Sequence, residues 1–337
     1  MGNLVNSDVA VIGAGMAGLV CARRLVDAGL GVTVFDKGRG LGGRLATRRA
    51  RTFAFDHGAP LVTAEHLSFS TFLDELVSAA SAAPWLSDAT SRGPSDKALR
   101  CVVGLPGMSG LLAPLAKDLD IRRATEIGRV ALSGPDRWMV TTREGMSLGP
   151  YRAIAITIPA EQAAKLVEPA APALAAPLAD VSYDPCLTMM AGFEVPLRLP
   201  DHLGQKTGCL LASILRNDLK PGRDETGVSF VVHANADWSR DNLNQEPDTI
   251  ARDLLAAFEQ AARDAGATLV PAPAYLQGHR WRFARTRRAL GESHIFDPAL
   301  RLGLAGDWCL GPNAEHAFLS GEALAGAMVA AISNPNA

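Results

Sequence analysis

One stretch near the start of the chain, residues 8–35, constrains the fold more than any other. The apolar run at 8–12 predicts a strand buried on both faces, and it leads into a turn of sequence Gly13-Ala14-Gly15-Met16-Ala17-Gly18. The apolar periodicity at 17–28 predicts a helix, and 31–35 predicts a second strand. Parallel strands joined by a helix form a βαβ unit with a right-handed crossover.

Each glycine of this turn has a physical reason to be there. Gly13 permits the tight turn, Gly15 lets backbone amides approach a pyrophosphate, and Gly18 lets helix and strand pack closely. The phosphates then lie at the helix N-terminus, where unpaired N–H groups and the dipole favour anions. Asp36 ends the second strand, where a carboxylate can accept both ribose hydroxyls. These residues together predict a Rossmann-type dinucleotide site.

Two further segments indicate which dinucleotide binds. The glycine-rich loop 37–44 could wrap the far side of a pyrophosphate, with Arg44 as a planar charged donor. Near the other end of the chain, Gly306 and Asp307 follow a strand-like run, where an acid and backbone amides can bind a ribityl chain and phosphate. The helix that follows begins near Glu315, and its positive N-terminus would face the flavin pyrimidine ring. We therefore expect FAD rather than NAD.

The order of elements predicts an α/β fold in which a second, mostly β domain interrupts the dinucleotide-binding domain. We expect the FAD-binding domain at 1–65, 104–160 and 288–337, and the substrate domain at 66–103 and 161–287. The remaining helices are predicted at 66–80, 108–119, 246–265 and 314–332, with a loop at 81–100 and a linker at 168–180. The remaining strands are predicted at 121–132, 137–145, 151–159, 187–195, 207–215, 227–234, 278–284 and 301–306.

Composition narrows the function classes. A net charge of -2 offers nucleic acid or an anionic membrane no electrostatic attraction, so we expect neither as a partner. We expect no signal peptide, no membrane span, no metal and a cytoplasmic location. The expectations of no metal and of a cytoplasmic location depend on the cysteines, which are scattered and form no C-x-x-C pair. They are Cys21, Cys101, Cys186, Cys209 and Cys309.

Several segments in order cover nearly the whole chain: FDKGRGLGGRLATRR, FDHGA, LPGMSGL, IPAEQA, VVHANADWSRDNL, GHRWRFA and GDWCLGPNAEHAFLSG. In these the sequence resembles the bacterial renalase-like flavoproteins of the flavin amine oxidase superfamily. The resemblance implies a topology like para-hydroxybenzoate hydroxylase and the amine oxidases. It also implies oxidation of dihydronicotinamide isomers of NAD(P)H by hydride transfer to flavin N5, with O2 as the acceptor and H2O2 as the product.

The residues expected to contact FAD come from both ends of the chain, from the FDHGA segment and from the strand predicted at 121–132. They are Gly13, Ala14, Gly15, Met16, Ala17, Gly18, Asp36, Lys37, Gly43, Arg44, His57, Gly58, Ala59, Val130, Gly306, Asp307, Glu315, His316 and Ala317.

The sequence departs from the family pattern at two places. Pro60-Leu61-Val62 stands where Gln-Tyr-Phe is usual, which would remove substrate contacts beside the flavin. His316 stands where a glycine is usual, and its imidazole would either crowd the pyrimidine edge or give it a hydrogen bond. Both changes bear on the substrate and neither bears on FAD binding.

The segment GHRWRFA supplies the candidate catalytic residues. Strand alternation puts His279 and Trp281 on one face, where they could form a wall over the isoalloxazine, and puts Arg280 on the other, where it could pair with an acid or a substrate phosphate. An ordinary core strand is the alternative, and His57 could equally be a structural histidine. Two other functions remain open: an amine oxidase or dehydrogenase of the same fold, and an FAD-binding protein without turnover.

Overall fold

The computed structural model describes residues 8–85, 101–134, 137–195, 197, 199, 210–223 and 227–333. Its contacts divide the chain into two compact units. Unit 1 comprises Met1–Gly43, Leu112–Ser182 and Thr286–Ala337, and unit 2 comprises Arg44–Leu111 and Tyr183–Arg285. Most of the loop predicted at 81–100, the start of the strand predicted at 207–215, and Cys209 lie outside the described residues.

The described residues form α-helices and strands that we number in chain order. The helices are α1 Met16–Asp27, α2 Leu67–Ser78, α3 Ala113–Ala116, α4 Ala160–Val167, α5 Pro172–Ala175, α6 Ala236–Asp241, α7 Pro247–Asp264 and α8 Ala314–Ser333. The first nine strands are β1 Val9–Ile12, β2 Val32–Phe35, β3 Arg48–Ala50, β4 Phe53–Phe55, β5 Val62–Thr63, β6 Ala82–Pro84, β7 Cys101–Gly104, β8 Asp120–Arg122 and β9 Ile127–Leu132. The others are β10 Trp138–Thr142, β11 Ser147–Tyr151, β12 Ala153–Ile156, β13 Ser182–Phe193, β14 Leu211–Arg216, β15 Val228–Ala234, β16 Tyr275–Arg288, β17 Ile295–Asp297 and β18 Leu302–Leu304.

Unit 1 is built on a six-stranded sheet with the order β17-β18-β12-β1-β2-β8. Strands β1, β2, β8, β12 and β18 run parallel, and only β17 is antiparallel to its neighbour. All four residues of β1, β2 and β12 are buried, as expected for parallel strands covered on both faces. The prediction that the opening βαβ unit and the closing Gly-Asp strand share one sheet is therefore confirmed, and so is the α/β fold class.

Helices α1 and α8 lie against each other in unit 1, and a glycine permits this close approach. A Cβ atom at Gly321 would stand 2.3 Å from the carbonyl oxygen of Ala17, so any larger residue would push the helices apart. By length and composition α8 could also cross a membrane, but 44% of its most apolar window is buried inside the protein. The core helix of a globular domain has the same properties, and the packing on α1 gives α8 that role.

Unit 2 contains a four-stranded sheet with the order β14-β15-β13-β16. Helix α7 packs on it through residues spaced four apart, and Ile250, Leu254 and Phe258 are fully buried in a cluster that includes Phe193 and Phe230. The unit also holds the antiparallel pair β3-β4 and the small sheet β5-β7-β6. This agrees with the prediction of a second domain rich in β structure.

Three segments differ from the sequence-based prediction for identifiable reasons. The helix predicted at 108–119 is a 3₁₀ turn at Met108–Leu112 followed by the single-turn helix α3, because Pro114 has no N–H to continue the ladder. The strand predicted at 121–132 is two strands in different sheets, β8 and β9, separated by Ala124 with φ of 52°. The linker predicted at 168–180 is helical in α5 and the 3₁₀ turn Ala176–Asp180, since its prolines occupy first turns, where no N–H is needed.

The two units also divide the chain at different points from the predicted domains. Residues 44–65 and 104–111 lie in unit 2, where β4 packs against β15 and β3 pairs with β4. Residues 161–182 lie in unit 1, where α4 contacts β9 and α5 contacts β17. Part of the predicted loop at 81–100 is also ordered, because β6 pairs with β7.

Candidate cofactor and substrate sites

The glycine turn between β1 and α1 has the geometry that the fingerprint predicts. Gly13 has φ of 111°, and a Cβ atom there would stand 2.9 Å from Thr157 Oγ1. A Cβ atom at Gly18 would stand 1.9 Å from the carbonyl oxygen of Gly13, which is an outright clash. The Thr157 hydroxyl lies within hydrogen-bond distance of the carbonyl oxygens of Ile12 and Gly13, at 3.0 and 3.1 Å. The turn is thus compact only because two of its residues lack side chains.

The approach to the first amides of α1 is open. A Cβ atom placed on Gly15 would meet nothing within 4 Å, and the first turn of α1 has no acidic residue and no side-chain cap. Met16 and Ala17 are buried, so their peptide groups are presented by a rigid helix start. Unpaired N–H groups at an uncapped helix N-terminus favour a phosphate. This cradle fits the pyrophosphate of a dinucleotide.

Asp36 and the second glycine-rich loop lie beside the same turn. Asp36 accepts hydrogen bonds from the amides of Ala14 and Gly38, both at 2.6 Å. The amide of Gly42 donates to the carbonyl of Ala14 at 3.2 Å, and a Cβ atom on Gly43 would stand 3.9 Å from Gly15 Cα. The loop therefore returns to the fingerprint turn, as its sequence predicts. The Nζ atom of Lys37 lies 3.4 Å from Oε1 of Gln162.

The Gly306-Asp307 pair follows β18 in the same sheet. Asp307 is buried and accepts a hydrogen bond from Thr286 Oγ1 at 2.9 Å, while the amide of Gly306 donates to Ser320 Oγ at 3.0 Å. A Cβ atom at Gly306 would stand 2.3 Å from the indole nitrogen of Trp308, so glycine is required there. A buried carboxylate and a helix start at the strand end are the groups that a ribityl chain and phosphate need.

The start of α8 explains one departure from the family pattern. His316 is the third helical residue, and its Nδ1 atom accepts a hydrogen bond from the amide of Asn313 at 3.1 Å. This is the reciprocal half of a capping box, with imidazole in the place of the usual Glu or Gln. A Cβ atom on Gly311 would stand 2.7 Å from the His316 ring, so the ring lies flat over that glycine. Glu315 and Ala317, on either side of it, are buried.

The remaining residues predicted for FAD are placed as follows. Val130 is buried in β9 and pairs with Val140, which leaves its side chain in the core of the small sheet β11-β10-β9. In unit 2, the amide of Ala59 donates a hydrogen bond to the carbonyl oxygen of Arg44 at 2.8 Å. A Cβ atom on Gly58 would stand 2.0 Å from that oxygen. Gly58 is therefore needed for the chain to pass Arg44.

The second candidate site lies in unit 2, where His57, His279 and Trp281 come together. The rings of His57 and His279 are edge to face at 4.8 Å between centroids, and the ring of Trp281 lies 5.1 Å from His57 and 4.4 Å from His279. The Trp281 indole N–H donates to the carbonyl oxygen of His57 at 2.9 Å. His233 Nε2 lies 3.3 Å from the same oxygen and its Nδ1 lies 3.1 Å from Ser213 Oγ. We call His57, His233, His279 and Trp281 the imidazole cluster.

Within the part of the chain that the structure describes, one polar atom of the imidazole cluster, His57 Nδ1, has no hydrogen-bond partner. His57 is 5% exposed, and its Nδ1 atom makes no hydrogen bond. An unpaired buried polar atom costs free energy that a bound ligand can recover. The cluster is therefore suited to hold a ligand with a hydrogen-bonding group.

All three histidines of the cluster are neutral at physiological pH. Burial lowers the pKa of His57 to about 4; repulsion from a protonated His279 and from Arg48 acts in the same direction, and a hydrogen bond with the Phe55 backbone opposes it. Burial also lowers the pKa of His279 to about 4, helped by Arg48 and Arg280. Burial likewise lowers the pKa of His233 to about 4, although the His57 carbonyl opposes this.

The residues that sequence reasoning missed surround this cluster. Arg48 of β3 is partly buried and donates through Nη1 to Gln277 Oε1. The fully buried Asp56 accepts hydrogen bonds from Lys220 and Arg223. Lys220 and Arg223 belong to a segment, 216–223, that reads as a surface loop, and no local pattern in it points to a carboxylate 164 residues earlier. The resemblance in FDHGA was the only signal for Asp56.

Comparisons with known proteins agree with this architecture. Residues 11–76 match the model of an NAD(P)-binding Rossmann-like domain, and residues 67–329 match that of the flavin-containing amine oxidoreductases. Two solved structures share the fold across 97% of this chain and 100% of their own. They are a putative protoporphyrinogen oxidase from Exiguobacterium at 13% identity and TM-score 0.70, and the cyclohexylamine oxidase of Brevibacterium oxydans at 15% and 0.67.

A curated relative matches over a shorter stretch. The 4,4'-diapophytoene desaturase of Staphylococcus aureus is 43% identical over 54 residues, which is 16% of this chain and only 11% of the desaturase. The family model covers well over half of the chain, and the open amides of α1, the buried Asp307 and the glycine cradle fit its cofactor. The chain belongs to the flavin-containing amine oxidoreductase family, and is by class an FAD-dependent oxidoreductase.

Proposed function

We propose that this protein oxidises dihydronicotinamide isomers of NAD(P)H, as the renalase-like flavoproteins do. The net reaction converts the dihydropyridine, O2 and one proton into the aromatic nicotinamide cation and H2O2. Bound FAD would supply the two-electron acceptor that links the substrate to O2. The protein has to bind the nucleotide, orient its ring and leave the departing C–H bond accessible. We also propose a cytoplasmic location, where such nucleotides occur.

The charge around the imidazole cluster carries this proposal. Arg48 and Arg280 both add positive charge at His279, and within the described residues neither guanidinium has a carboxylate at ion-pair distance. The histidines of the cluster are neutral, so the local field is positive. A positive field attracts the phosphates of a nucleotide and repels an ammonium group.

The cluster's shape suits the same substrate. Trp281 and His279 offer aromatic faces on which a planar heterocycle can stack, and base–aromatic stacking contributes about 1–3 kcal/mol. The unpartnered Nδ1 of His57 offers a hydrogen bond to a carboxamide. Aromatisation drives loss of hydride from a dihydropyridine, so no general base is required. The absence of an acidic partner beside these histidines in the described residues is compatible with that chemistry.

Oxidation of an amine is the second candidate, and the family match favours it. The family is that of flavin-containing amine oxidoreductases, and one structural neighbour is a cyclohexylamine oxidase. An amine must lose its proton before hydride transfer, which the positive field of Arg48 and Arg280 would favour by lowering the amine's pKa. The same field would oppose entry of the ammonium form, so we place this function second. An FAD protein without turnover is the third reading.

The deciding experiment is anaerobic mixing of the purified protein with candidate reductants, read as bleaching of the flavin absorption band. We expect bleaching by isomerised NADH preparations and none by a panel of primary and secondary amines. Arg48→Gln should raise KM for the nucleotide at least tenfold with kcat little changed, as expected for the loss of a charged hydrogen bond worth about 1.5–3 kcal/mol. Arg49→Gln is the matched control, because Arg49 is the next residue on the exposed face of β3. Bleaching by amines alone would favour the amine oxidase function over oxidation of dihydronicotinamides. If neither the nucleotides nor the amines bleach the flavin, an FAD protein without turnover is favoured.

A further inference from the structure

A buried ionic cluster in unit 2 has no part in the chemistry described above. Asp56 is 0% exposed, and its carboxylate accepts four hydrogen bonds: from Thr47 Oγ1 at 2.7 Å, the amide of Met108 at 3.0 Å, Lys220 Nζ at 2.9 Å and Arg223 Nη2 at 2.6 Å. An ionised carboxylate has about four acceptor sites, so this one is saturated. Burial alone would raise the pKa of Asp56, but the charges of Lys220 and Arg223 and the Met108 amide outweigh it and hold the pKa below its ordinary value.

These bonds join segments that are far apart in the chain. Thr47 precedes β3, Asp56 follows β4, Met108 begins a 3₁₀ turn, and Lys220 and Arg223 lie between β14 and β15. Asn217 completes the attachment of β4. Its Oδ1 atom accepts a hydrogen bond from the amide of Asp56 at 3.3 Å, and its Nδ2 atom donates one to the carbonyl oxygen of Ala54 at 2.9 Å. The end of β4 is therefore held by both main-chain and side-chain bonds.

The residues fixed in this way lead directly into the imidazole cluster. His57 follows Asp56, and the two donors on its carbonyl oxygen, Trp281 and His233, depend on where that peptide lies. Lys220 also acts on His233, because its charge helps to lower the pKa of that histidine. A shift of the Asp56 backbone by about 1 Å would break hydrogen bonds whose useful range is about 2.7–3.2 Å.

We propose that Asp56, held by Thr47, Lys220 and Arg223, is a positioning residue that sets the His57 peptide and ring for ligand binding in unit 2. It does not touch the ligand itself. This inference rests on the proposed function only for the identity of the ligand, since the position of His57 can be measured without one.

Asp56→Asn tests the proposal, because the amide keeps the size of the side chain but turns one acceptor into a donor facing Arg223. Asp218→Asn is the matched control. Asp218 lies in the same loop segment, is partly buried and is paired with Arg216, and it has no bond to Asp56. Thr47→Val is the milder second variant, since it removes one donor to Asp56 without changing any charge.

Two readouts separate positioning from simple stability. The first is hydrogen exchange of the Trp281 indole N–H, followed by NMR and assigned with Trp281→Phe. The second is the Kd of NAD+, the expected product, measured from its perturbation of the flavin spectrum. FAD content serves as the check that unit 1 is intact.

We expect Asp56→Asn to raise indole exchange and the NAD+ Kd at least tenfold, and Thr47→Val to raise both about threefold, with FAD content unchanged. Asp218→Asn should stay within twofold of the wild type. Wild-type values in folded Asp56→Asn or Thr47→Val, or equal losses in Asp218→Asn, would overturn the proposal. If Asp56→Asn does not fold, Thr47→Val decides. If the wild-type protein does not bind NAD+, the proposed function fails, and indole exchange alone decides the positioning role.

Discussion

The two candidate sites are built by different means. In unit 1 the groups offered to a dinucleotide are mostly backbone amides of one continuous turn, and the glycines at 13, 15 and 18 provide the space. In unit 2 the imidazole cluster consists of side chains from β15, β16 and the end of β4, and Asp56 at the end of β4 is bonded to three further segments. A backbone site depends on a few local residues, whereas a side-chain site depends on the whole fold around it.

The largest effect that tests this contrast is expected in the glycine turn. Gly18→Ala puts a Cβ atom 1.9 Å from a backbone oxygen, so we expect a loss of about 1–3 kcal/mol or more in the free energy of unfolding, with loss of FAD. Gly15→Ala meets nothing within 4 Å and should keep that free energy while binding FAD more weakly. Urea unfolding and flavin content measure the two effects. If the two variants lose the same unfolding free energy and the same FAD content, Gly18 does not serve packing and Gly15 does not serve FAD binding as described.

The second test concerns pH and the three histidines of the imidazole cluster in unit 2. The pKa of His57, His233 and His279 is about 4 in the folded protein, below the ordinary 6.5 expected in the unfolded chain. As the pH falls from 6.5 toward 4, the unfolded chain takes up protons first, so stability is lost in that window. For His233 the loss between pH 7.5 and 5 is on the order of 2 kcal/mol. Urea unfolding at pH 7.5 and 5 should show this decrease.

The control for this pH effect is His233→Gln, whose amide can still donate to the His57 carbonyl. The decrease in stability on acidification should be smaller in this variant, because one titrating group is gone. A wild-type protein equally stable at pH 7.5 and 5 would mean that these histidines are not held neutral by the fold.

A third test compares two tryptophans whose indole nitrogens donate to carbonyl oxygens. Trp281→Phe removes the bond to His57 at 2.9 Å in unit 2, and Trp138→Phe removes the bond to Leu300 at 2.8 Å in unit 1. Each should lower the free energy of unfolding by about 1 kcal/mol. Only Trp281→Phe should also weaken NAD+ binding, as seen in the flavin spectrum. Weaker binding in both variants would argue against a separate ligand site in unit 2.

The smallest effect is expected on α8. Gly326 is exposed in the middle of this helix, and a Cβ atom there would meet nothing within 4 Å. Gly326→Ala should therefore raise the free energy of unfolding by about 0.5–1 kcal/mol and leave FAD content and kinetics unchanged. Thermal unfolding with and without added FAD is the measurement. A destabilised variant would mean that Gly326 has a packing role in α8 that its exposure hides.

The sequence predicts the two sites to different extents for the same physical reason. The turn at 13–18, Asp36 and the Gly306-Asp307 pair are recognisable because each contains its own geometric requirement, and the closing strand pairs with β12 as expected. Asp56 and Lys220 meet across 164 residues, and no periodicity or spacing encodes that contact. The Pro- and Ala-rich composition of 168–180 predicts a linker, but its prolines begin short helical turns, so 172–180 is helical.

The place of β18 in the sheet also affects how the protein can be made. β12 has β1 on one side and β18 on the other, and almost 150 residues are translated between β12 and β18. Every strand that is internal to unit 2 leaves the ribosome before β18 does. A nascent chain can therefore complete its imidazole cluster while one edge of β12 is still unpaired. Flavin loading should accordingly be a late, post-translational event, and chains halted before β18 should be clients for chaperones.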